Sequence, residues 1–181
     1  MRKLSVNTFV TLDGVMQGPG GPEEDPSGGF KHGGWSVNYW DERMGQIMGE
    51  FMGKPFDLLL GRKTYEIFAA HWPRVKDDPA ADKLNNANKY VASRTLDAVE
   101  WQNSTLIKGD VGEEVARLKE QAGPEIQVHG SGKRLFADGT IPAGLKLVDS
   151  QTSSTGVVIA KYERDGNVEY GSFALEEPAE A

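Results

Sequence analysis

The chain has no cysteine among its 181 residues. That absence excludes a disulfide framework, a thiolate metal site and a cysteine nucleophile. Histidine is also scarce: only His32, His71 and His129 are present, and no two of them have the spacing of metal ligands. We therefore expect no bound metal.

Acidic residues outnumber basic ones, and the sequence contains no long apolar run. The formal net charge is −7, whereas a nucleic-acid-binding protein normally presents a basic face, so we expect no nucleic-acid partner. No stretch has the length of a signal sequence or a membrane span, which predicts a cytoplasmic protein without a membrane partner. With 38% hydrophobic residues, we expect one domain over residues 1–175 and a frayed acidic tail over 176–181.

Glycine and proline, in contrast, crowd one segment. The residues from Gly14 to Gly34, here called the Gly-rich loop, include eight glycines and three prolines. No regular element tolerates that density. A long loop inside a compact domain is usually functional, often as a lid over a site.

Hydrophobic periodicity predicts alternating strands and helices in the first two-thirds of the chain and consecutive strands afterwards. This order predicts an α/β fold with a mainly parallel central sheet, flanking helices and an antiparallel C-terminal edge. The predicted strands are 4–11, 56–60, 89–93, 104–107, 125–129, 144–153, 156–163 and 168–173. The predicted helices are 37–52, 63–71 and 110–121.

The sharpest local signal is a buried strand that runs into a glycine turn and then a helix, over Asp57–Glu66. The free N–H groups and the positive dipole end of such a helix attract phosphate. Arg62 and Lys63 add two cations there and Thr64 adds a hydroxyl donor, a cluster that suits a dinucleotide with an extra 2′-phosphate. A tight turn with two solvated bases explains the pattern equally well.

A second glycine turn follows the strand that ends at His129. Gly130, Ser131 and Gly132 would let a pyrophosphate approach the backbone closely. The same triplet is also common in ordinary loops. It is not the GxGxxG fingerprint, so a Rossmann dinucleotide site is not predicted.

Asp41 is the third candidate. On a helix over 37–52 it shares the apolar side of Met44, Met48 and Met52, whereas the acids Glu42 and Glu50 do not. A carboxyl group in apolar surroundings has a raised pKa and can protonate a nitrogen heterocycle. The alternative is a first-turn acid that serves the helix dipole or shares a capping arrangement with Asn38.

Taken in order, the motifs form a specific set, and the chain resembles the dihydrofolate-reductase-like proteins related to the C-terminal reductase domain of bifunctional riboflavin-biosynthesis enzymes. The resemblance covers nearly the whole chain. It rests on residues 8–16 (TFVTLDGVM), 33–35 (GGW), 60–66 (LGRKTYE), 89–93 (KYVAS), 126–132 (IQVHGSG) and 133–139 (KRLFADG).

The resemblance implies NADPH as hydride donor and a pteridine or ribosylaminopyrimidine substrate, as in 5-amino-6-(5-phosphoribosylamino)uracil reductase. It implies that Asp41 falls near the position of the substrate-binding acid of true dihydrofolate reductases. It also implies that Leu12 begins the loop over the nicotinamide. It also assigns cofactor contacts. These are Gly61, Arg62, Lys63 and Thr64 at the phosphates, Ser93 and Arg94 near the adenosine, and Gly130, Ser131 and Gly132 at the pyrophosphate.

One departure from the family pattern concerns Gly132 and Lys133, which are adjacent here. In the family a helix and a core strand, roughly 25–30 residues in all, separate these motifs. We expect a continuous chain with an in-frame deletion. The sheet then has an unpaired edge, unless residues 144–148 or the same segment of a second copy fill it, and a homodimer would cover that edge.

Three functions compete at this point. The first is an NADPH-dependent reductase of a small molecule, in which Asp41 or water supplies the proton. The second is a non-catalytic nucleotide- or drug-binding protein that kept the fold after the helix-strand segment was lost. The third is an oligomeric scaffold without a ligand. NADPH binding separates the third from the others, and NADPH oxidation separates the first two.

Overall fold

The computed structural model describes residues 1–130, 143–166 and 168. Two compact units are present, one within residues 1–136 and one within 137–181. Gly132 and Lys133 are adjacent in the sequence, so the segment that the family resemblance implies between them is missing from this chain. The geometry of that join, the predicted strand over 168–173 apart from Val168, and the tail over 176–181 lie outside the described residues.

The first unit alternates strands and helices as predicted. Its strands are β1 (Leu4–Asn7), β2 (Phe56–Gly61), β3 (Lys89–Ala92), β4 (Ser104–Ile107) and β5 (Glu125–His129). Its α-helices are α1 (Glu42–Phe51), α2 (Arg62–His71), α3 (Pro79–Asn86) and α4 (Val111–Glu120). The bounds of β4 and β5 match the prediction. Those of β2, β3 and α2 differ from it by one residue at one end, and those of α4 by one residue at each end.

The start of α1 corrects the predicted helix over 37–52. Asp41 has extended backbone angles, φ −133° and ψ 177°, and Trp40 is extended as well. Val37–Tyr39 is a separate 3₁₀ turn. The helix therefore begins at Glu42, with Asp41 as its N-cap.

Two further differences are local. Strand β1 ends at Asn7 instead of residue 11, because the chain enters a turn in which the Thr11 amide donates to the Val15 carbonyl at 2.9 Å. Helix α3 was not predicted, although Asp78 caps it and Pro79 occupies its first turn, a typical helix start.

The five strands form one parallel sheet in the order β1-β5-β2-β3-β4. The chain moves outward from β2 to β4 and then returns, so that β5 is inserted between β1 and β2. The direction of the crossovers therefore reverses beside β5. In open α/β sheets, ligands bind outside the carboxyl ends of the strands at such a reversal.

Both faces of the sheet are covered, as the prediction of flanking helices requires. Leu58 and Leu60 are fully buried in a core shared with Tyr65 of α2 and Leu84 of α3. Leu59 points to the opposite face, where it joins a second core with residues of β4, α4 and β5: Ile107, Leu118 and Ile126. The alternation along β2 thus assigns α2 and α3 to one face and α4 to the other.

A buried ion pair closes the amino end of this sheet. The Arg2 guanidinium donates to the Asp57 carboxylate, and both side chains are at most 5% exposed. Arg2 also donates to the Pro124 carbonyl at 2.6 Å, and the Asn88 amide donates to Asp57 at 2.9 Å. The segments before β1, β5 and β3 are therefore all joined to β2 at this end.

The second unit is the predicted hairpin, with β6 (Leu145–Thr152) antiparallel to β7 (Val158–Arg164). It is a separate two-stranded sheet, so residues 144–148 do not fill the central sheet. Within the described residues, β1 pairs only with β5 and its outer side stays unpaired. Several apolar hairpin side chains are exposed, namely Leu145, Leu147, Val148, Val158 and Tyr162.

No helix in the described ranges 1–130, 143–166 and 168 is long and apolar enough to cross a membrane.

Candidate functional site

The carboxyl ends of the parallel strands bring the predicted cofactor residues to one edge. Gly61 of β2 is in register with Ala92 of β3, and Asn7 of β1 is in register with His129 of β5. Ser93 and Gly130 follow directly on these strand ends. Three segments predicted separately thus meet beside the insertion of β5.

The N-terminus of α2 forms the centre of this edge. Gly61 is the N-cap and offers no side chain to the first-turn amides, and a Cβ added there would meet no atom within 4 Å. The backbone of Gly61 therefore faces open space, as a close approach of phosphate requires. Arg62 and Lys63 are exposed at this terminus, whereas Thr64 is buried.

Arg62 connects this terminus to the turn after β3. Its guanidinium donates to the Thr95 hydroxyl at 2.7 Å and to the Glu66 carboxylate at 2.8 Å, and both ion-pair partners are nearly half exposed. In that turn the buried Ser93 hydroxyl oxygen accepts from the Leu96 amide at 3.0 Å, while Arg94 is exposed. Arg62 and the predicted adenosine residues Ser93 and Arg94 are therefore brought together.

Lys63 has a different environment from Arg62. Its ammonium group contacts the Asp25 carboxylate at 3.1 and 3.3 Å and the Ser27 hydroxyl at 3.0 Å, both in the Gly-rich loop. Burial alone would raise the pKa of Asp25, but hydrogen bonds from Ser27 and Lys63 hold that pKa below its ordinary value. An ionised carboxylate thus faces Lys63.

The other end of the Gly-rich loop lies against β5. The Thr8 hydroxyl donates to the Met16 sulfur at 2.7 Å, and the Met16 methyl group is 3.9 Å from the position of a Cβ on Gly130. Gly130 is therefore covered by the start of the loop. Ser131 and Gly132, the other predicted pyrophosphate residues, lie outside the described residues.

Asp41 acts as a helix cap in this structure. Its Oδ1 accepts from the Met44 amide at 2.9 Å and the residue is half-buried. The role is structural, as the alternative to an inward-facing acid predicted, but Asp41 is itself the N-cap instead of a first-turn acid or a partner of Asn38. The Phe9 and Trp40 rings, 6.0 Å apart, nevertheless bring the segment before Asp41 next to the segment leaving β1.

Leu12, expected at the start of the loop over the nicotinamide, is fully exposed in the turn between Thr11 and Val15.

A row of polar side chains lies on the α1 face of β1 and β5. The buried Gln127 amide donates to the Phe51 carbonyl at 3.3 Å, and His129 is 3.4 Å from Gln127. On β1, Ser5 Oγ and Asn7 Nδ2 are buried without a partner in the described part of the chain. Unsatisfied buried groups beside a strand end are available to a polar ligand.

The His129 ring is enclosed by aromatic side chains. Its centroid is 6.2 Å from that of Phe51 and 5.9 Å from that of Phe68. Burial lowers the pKa of His129 to about 4. The ring is therefore neutral at physiological pH and contributes no positive charge to a phosphate site.

Sequence reasoning missed Asp25 and Thr95, whereas Met16 already lay in the motif 8–16 that carries the family resemblance. Asp25 was hidden among loop residues, and only its place in the fold identifies it as the partner of Lys63. Thr95 follows Ser93-Arg94, so the turn after β3 was the one available signal. A separate open depression of about 820 Å³ between α2, α3 and the segment before β4 contains none of the predicted site residues. Within the described residues, no group of three or more His, Asp or Glu side chains is arranged to hold a metal ion.

Comparison with known proteins gives the same fold. The sequence profile of the RibD C-terminal domain matches residues 2–145. A crystal structure of a Shewanella sp. PV-4 protein, which carries a provisional riboflavin biosynthesis name, superposes with a TM-score of 0.60 at 16% identity. That superposition covers 91% of this chain and 99% of the Shewanella chain.

A curated relative is the uncharacterized protein YyaP of Bacillus subtilis (strain 168), 26% identical over 197 residues. The match covers 91% of this chain and 96% of YyaP. Because the matched length exceeds the 181 residues of this chain, YyaP has residues with no counterpart here.

We predict that His129 makes the protein less stable in acid. Its ordinary pKa of 6.5 falls to about 4 in the folded state, so between these values the unfolded chain binds a proton that the folded chain does not. The free energy of unfolding should therefore fall as the pH drops from 6.5 towards 4, by at most about 1.4 kcal/mol per pH unit from this group. Urea unfolding at several pH values measures the slope.

His129→Gln should flatten that slope. An unaltered slope in His129→Gln would contradict the prediction.

Proposed function

Because the chain belongs to the RibD C-terminal domain family, we propose that it is a cytoplasmic, NADPH-dependent reductase of a pteridine or ribosylaminopyrimidine. The model for the reaction is the reduction of 5-amino-6-(5-phosphoribosylamino)uracil. The observation that carries the proposal is the convergence of Gly61, Arg62, Ser93 and Gly130 at the carboxyl edge beside β5.

The residues at this edge fit the adenosine-phosphate part of NADPH. The α2 amides face open space at Gly61 and suit an anion. Arg62 and Arg94 supply positive charge at the turn after β3, and Arg62 is already ordered by Thr95. We assign the 2′-phosphate to Arg62, with Arg94 and Ser93 beside the adenosine.

The chemical step needs one hydride and one proton. NADPH held at Gly61 and Arg62 would supply the hydride to the carbon of a C=N or C=O bond and would be released as NADP⁺, and the nitrogen or oxygen of that bond would take the proton. We assign the delivery of this proton to Asp41 or to water. Asp41 lies at the start of α1, where the Phe9–Trp40 contact joins it to the end of β1, and Asn7 Nδ2 offers a donor to the substrate.

One observation favours a second candidate, a nucleotide- or drug-binding protein without turnover. The family resemblance implies a helix and a strand between Gly132 and Lys133, and these two residues are adjacent in this sequence. A helix N-terminus at the pyrophosphate is lost with that segment, while the Arg62 side of the site is intact. Such a protein would bind NADPH and fail to oxidise it.

Replacing Arg62 by Ala should weaken NADPH more than NADH. A charge-assisted contact to phosphate is worth about 1.5–3 kcal/mol, which corresponds to a roughly 10–150-fold rise in Kd. Titration of the intrinsic tryptophan fluorescence with each nucleotide measures both constants.

The control is Arg117→Ala, which removes an exposed arginine from α4 on the other face. Equal weakening of NADPH and NADH by Arg62→Ala, or no weakening, would refute the assignment of the 2′-phosphate.

The reductase itself is tested by NADPH oxidation, followed by absorbance across a panel of pterins and ribosylaminopyrimidines. We expect turnover with at least one compound, and loss of that turnover in Asp41→Asn with NADPH affinity unchanged. Asparagine is as good an N-cap as aspartate, so the substitution keeps the Met44 contact and removes only the acid.

NADPH binding without oxidation of any compound would support the binding protein instead. Turnover that survives in Asp41→Asn would mean that water, and not Asp41, delivers the proton.

We also propose a homodimer. The outer side of β1 is unpaired within the described residues, and the hairpin of β6 and β7 exposes Leu147 and Tyr162. An isolated hairpin is only marginally stable in water, and unpaired strand edges invite another strand. Pairing between the hairpin of one copy and β1 of the other would supply strand partners both to the β1 edge and to the hairpin.

Sedimentation equilibrium should give the mass of two chains for the native protein. Leu147→Lys should shift that mass towards one chain, and Lys119→Ala on α4 should leave it unchanged. A native protein with the mass of a single chain would refute the homodimer.

A further inference from the structure

The interior of the Gly-rich loop is organised around one side chain. The Gln17 amide, which is buried, donates to the carbonyls of Asp25 and Ser27 at 2.9 and 2.8 Å. The Trp35 indole donates to the Gln17 carbonyl at 3.0 Å, and the Gly34 amide donates to the Gly18 carbonyl at 2.8 Å. The two arms of the loop are thus bonded to each other, and the loop behaves as one body.

Close packing between the arms adds to these bonds. A Cβ at Gly33 would lie 2.5 Å from the Pro22 carbonyl oxygen, so only glycine allows this approach. An internally fixed loop needs few external contacts to be placed. A contact at one residue therefore positions the whole segment.

The ion pair between Lys63 and Asp25 is such a contact. It joins the first turn of α2 to the middle of the loop, and Ser27 adds a third oxygen to the lysine. The Asp25 side chain is 7% exposed and that of Lys63 is 54% exposed. A pair with one buried partner is less screened by water than a pair at the surface.

Because Asp25 is buried, Lys63 should stay paired with its carboxylate instead of binding a phosphate. If Lys63 left to bind a phosphate, a buried carboxylate would lose its counter-ion, which is costly. A phosphate placed at Lys63 would also face the negative charge of Asp25. Arg62 has no such constraint, because its partner Glu66 is 44% exposed on the helix surface.

The opposite anchor completes the geometry. Met16 lies against Gly130 at the end of β5, and Asp25 lies against α2, which follows β2. The Gly-rich loop therefore spans the carboxyl edge at the reversal of the crossovers, where ligands of this fold class bind.

We propose that Lys63 and Asp25 form a latch that positions the Gly-rich loop over the substrate side of the site, and that Lys63 is a positioning residue instead of a phosphate ligand. The latch itself is a property of the free protein. Its effect on turnover rests on the proposed reductase function.

Limited proteolysis tests the latch without any ligand. Lys31 is exposed and is the only lysine or arginine between Gly14 and Gly34, so trypsin cleavage after Lys31 reports opening of the loop. We expect Asp25→Asn and Lys63→Met each to speed this cleavage about tenfold. The double variant should be no faster than either single variant, because both remove one interaction.

Glu66→Gln is the matched control, since it breaks the neighbouring Arg62 ion pair on the same helix and leaves the loop contacts in place. It should cleave at the native rate. Native cleavage rates in Asp25→Asn and Lys63→Met, or fully additive effects in the double variant, would overturn the latch.

Nucleotide titration separates the two roles of Lys63. As a positioning residue, Lys63→Met keeps the Kd for NADPH within about twofold and, where a substrate turns over, raises its KM or lowers kcat. As a phosphate ligand, Lys63→Met would weaken NADPH and Asp25→Asn would strengthen it, and that result would refute the assignment. If no compound turns over, the reductase proposal fails while the proteolysis result still decides the latch.

Discussion

The insertion of β5 between β1 and β2 is the constraint on which the rest of the structure depends. It places the ends of β1, β5 and β2 side by side, although they are far apart in sequence. The buried pair of Arg2 and Asp57 secures this arrangement by reaching across β5 at the amino ends. Removing either partner would leave an uncompensated buried charge, at a cost of about 3–5 kcal/mol. Because these contacts fix the strands at their amino ends, the loops at the carboxyl ends are the ones that can differ in length and contact a ligand.

The strands could be predicted because burial imposes a simple pattern. The run Leu58-Leu59-Leu60 has to bury both faces, and only a central parallel strand does that. The start of α1 could not be predicted from its apolar period, since Trp40 continues that period while its backbone is extended. Periodicity reports which side chains are apolar, but the N-cap depends on the backbone angles of one residue. Asp41 fits both the apolar period and the preference for an acid at the N-cap, and in the structure it is the N-cap.

The residues of the candidate site likewise include some that the sequence could predict and some that only the fold reveals. Gly61 and Arg62 could be predicted at this edge from the strand-turn-helix pattern, and the family resemblance added Ser93. The structure places all three at strand ends, since Gly61 ends β2, Arg62 follows it and Ser93 follows β3. Lys63 has the same sequence signal as Arg62, yet the two neighbours have different partners. A helix turns by about 100° per residue, which directs Arg62 to the turn after β3 and Lys63 to the Gly-rich loop. The identity of the facing loop residue depends on the fold of 21 residues, and no local pattern specifies it.

The direct join of Gly132 to Lys133 would affect the two halves of the proposed cofactor site unequally. The half built on α2 and the turn after β3 is held by contacts among β2, β3, their helices and the segment before β4, such as Tyr65 against Trp101. None of these contacts involves the residues after Gly130. The family resemblance places the pyrophosphate at Gly130, Ser131 and Gly132 and implies a helix after them, whereas Gly132 is followed directly by Lys133 in this sequence. In the proposed NADPH site, the 2′-phosphate contact assigned to Arg62 would therefore not depend on such a helix, and orientation of the nicotinamide would depend more heavily on the Gly-rich loop. A latch between Lys63 and Asp25 supplies that orientation from the intact half of the site.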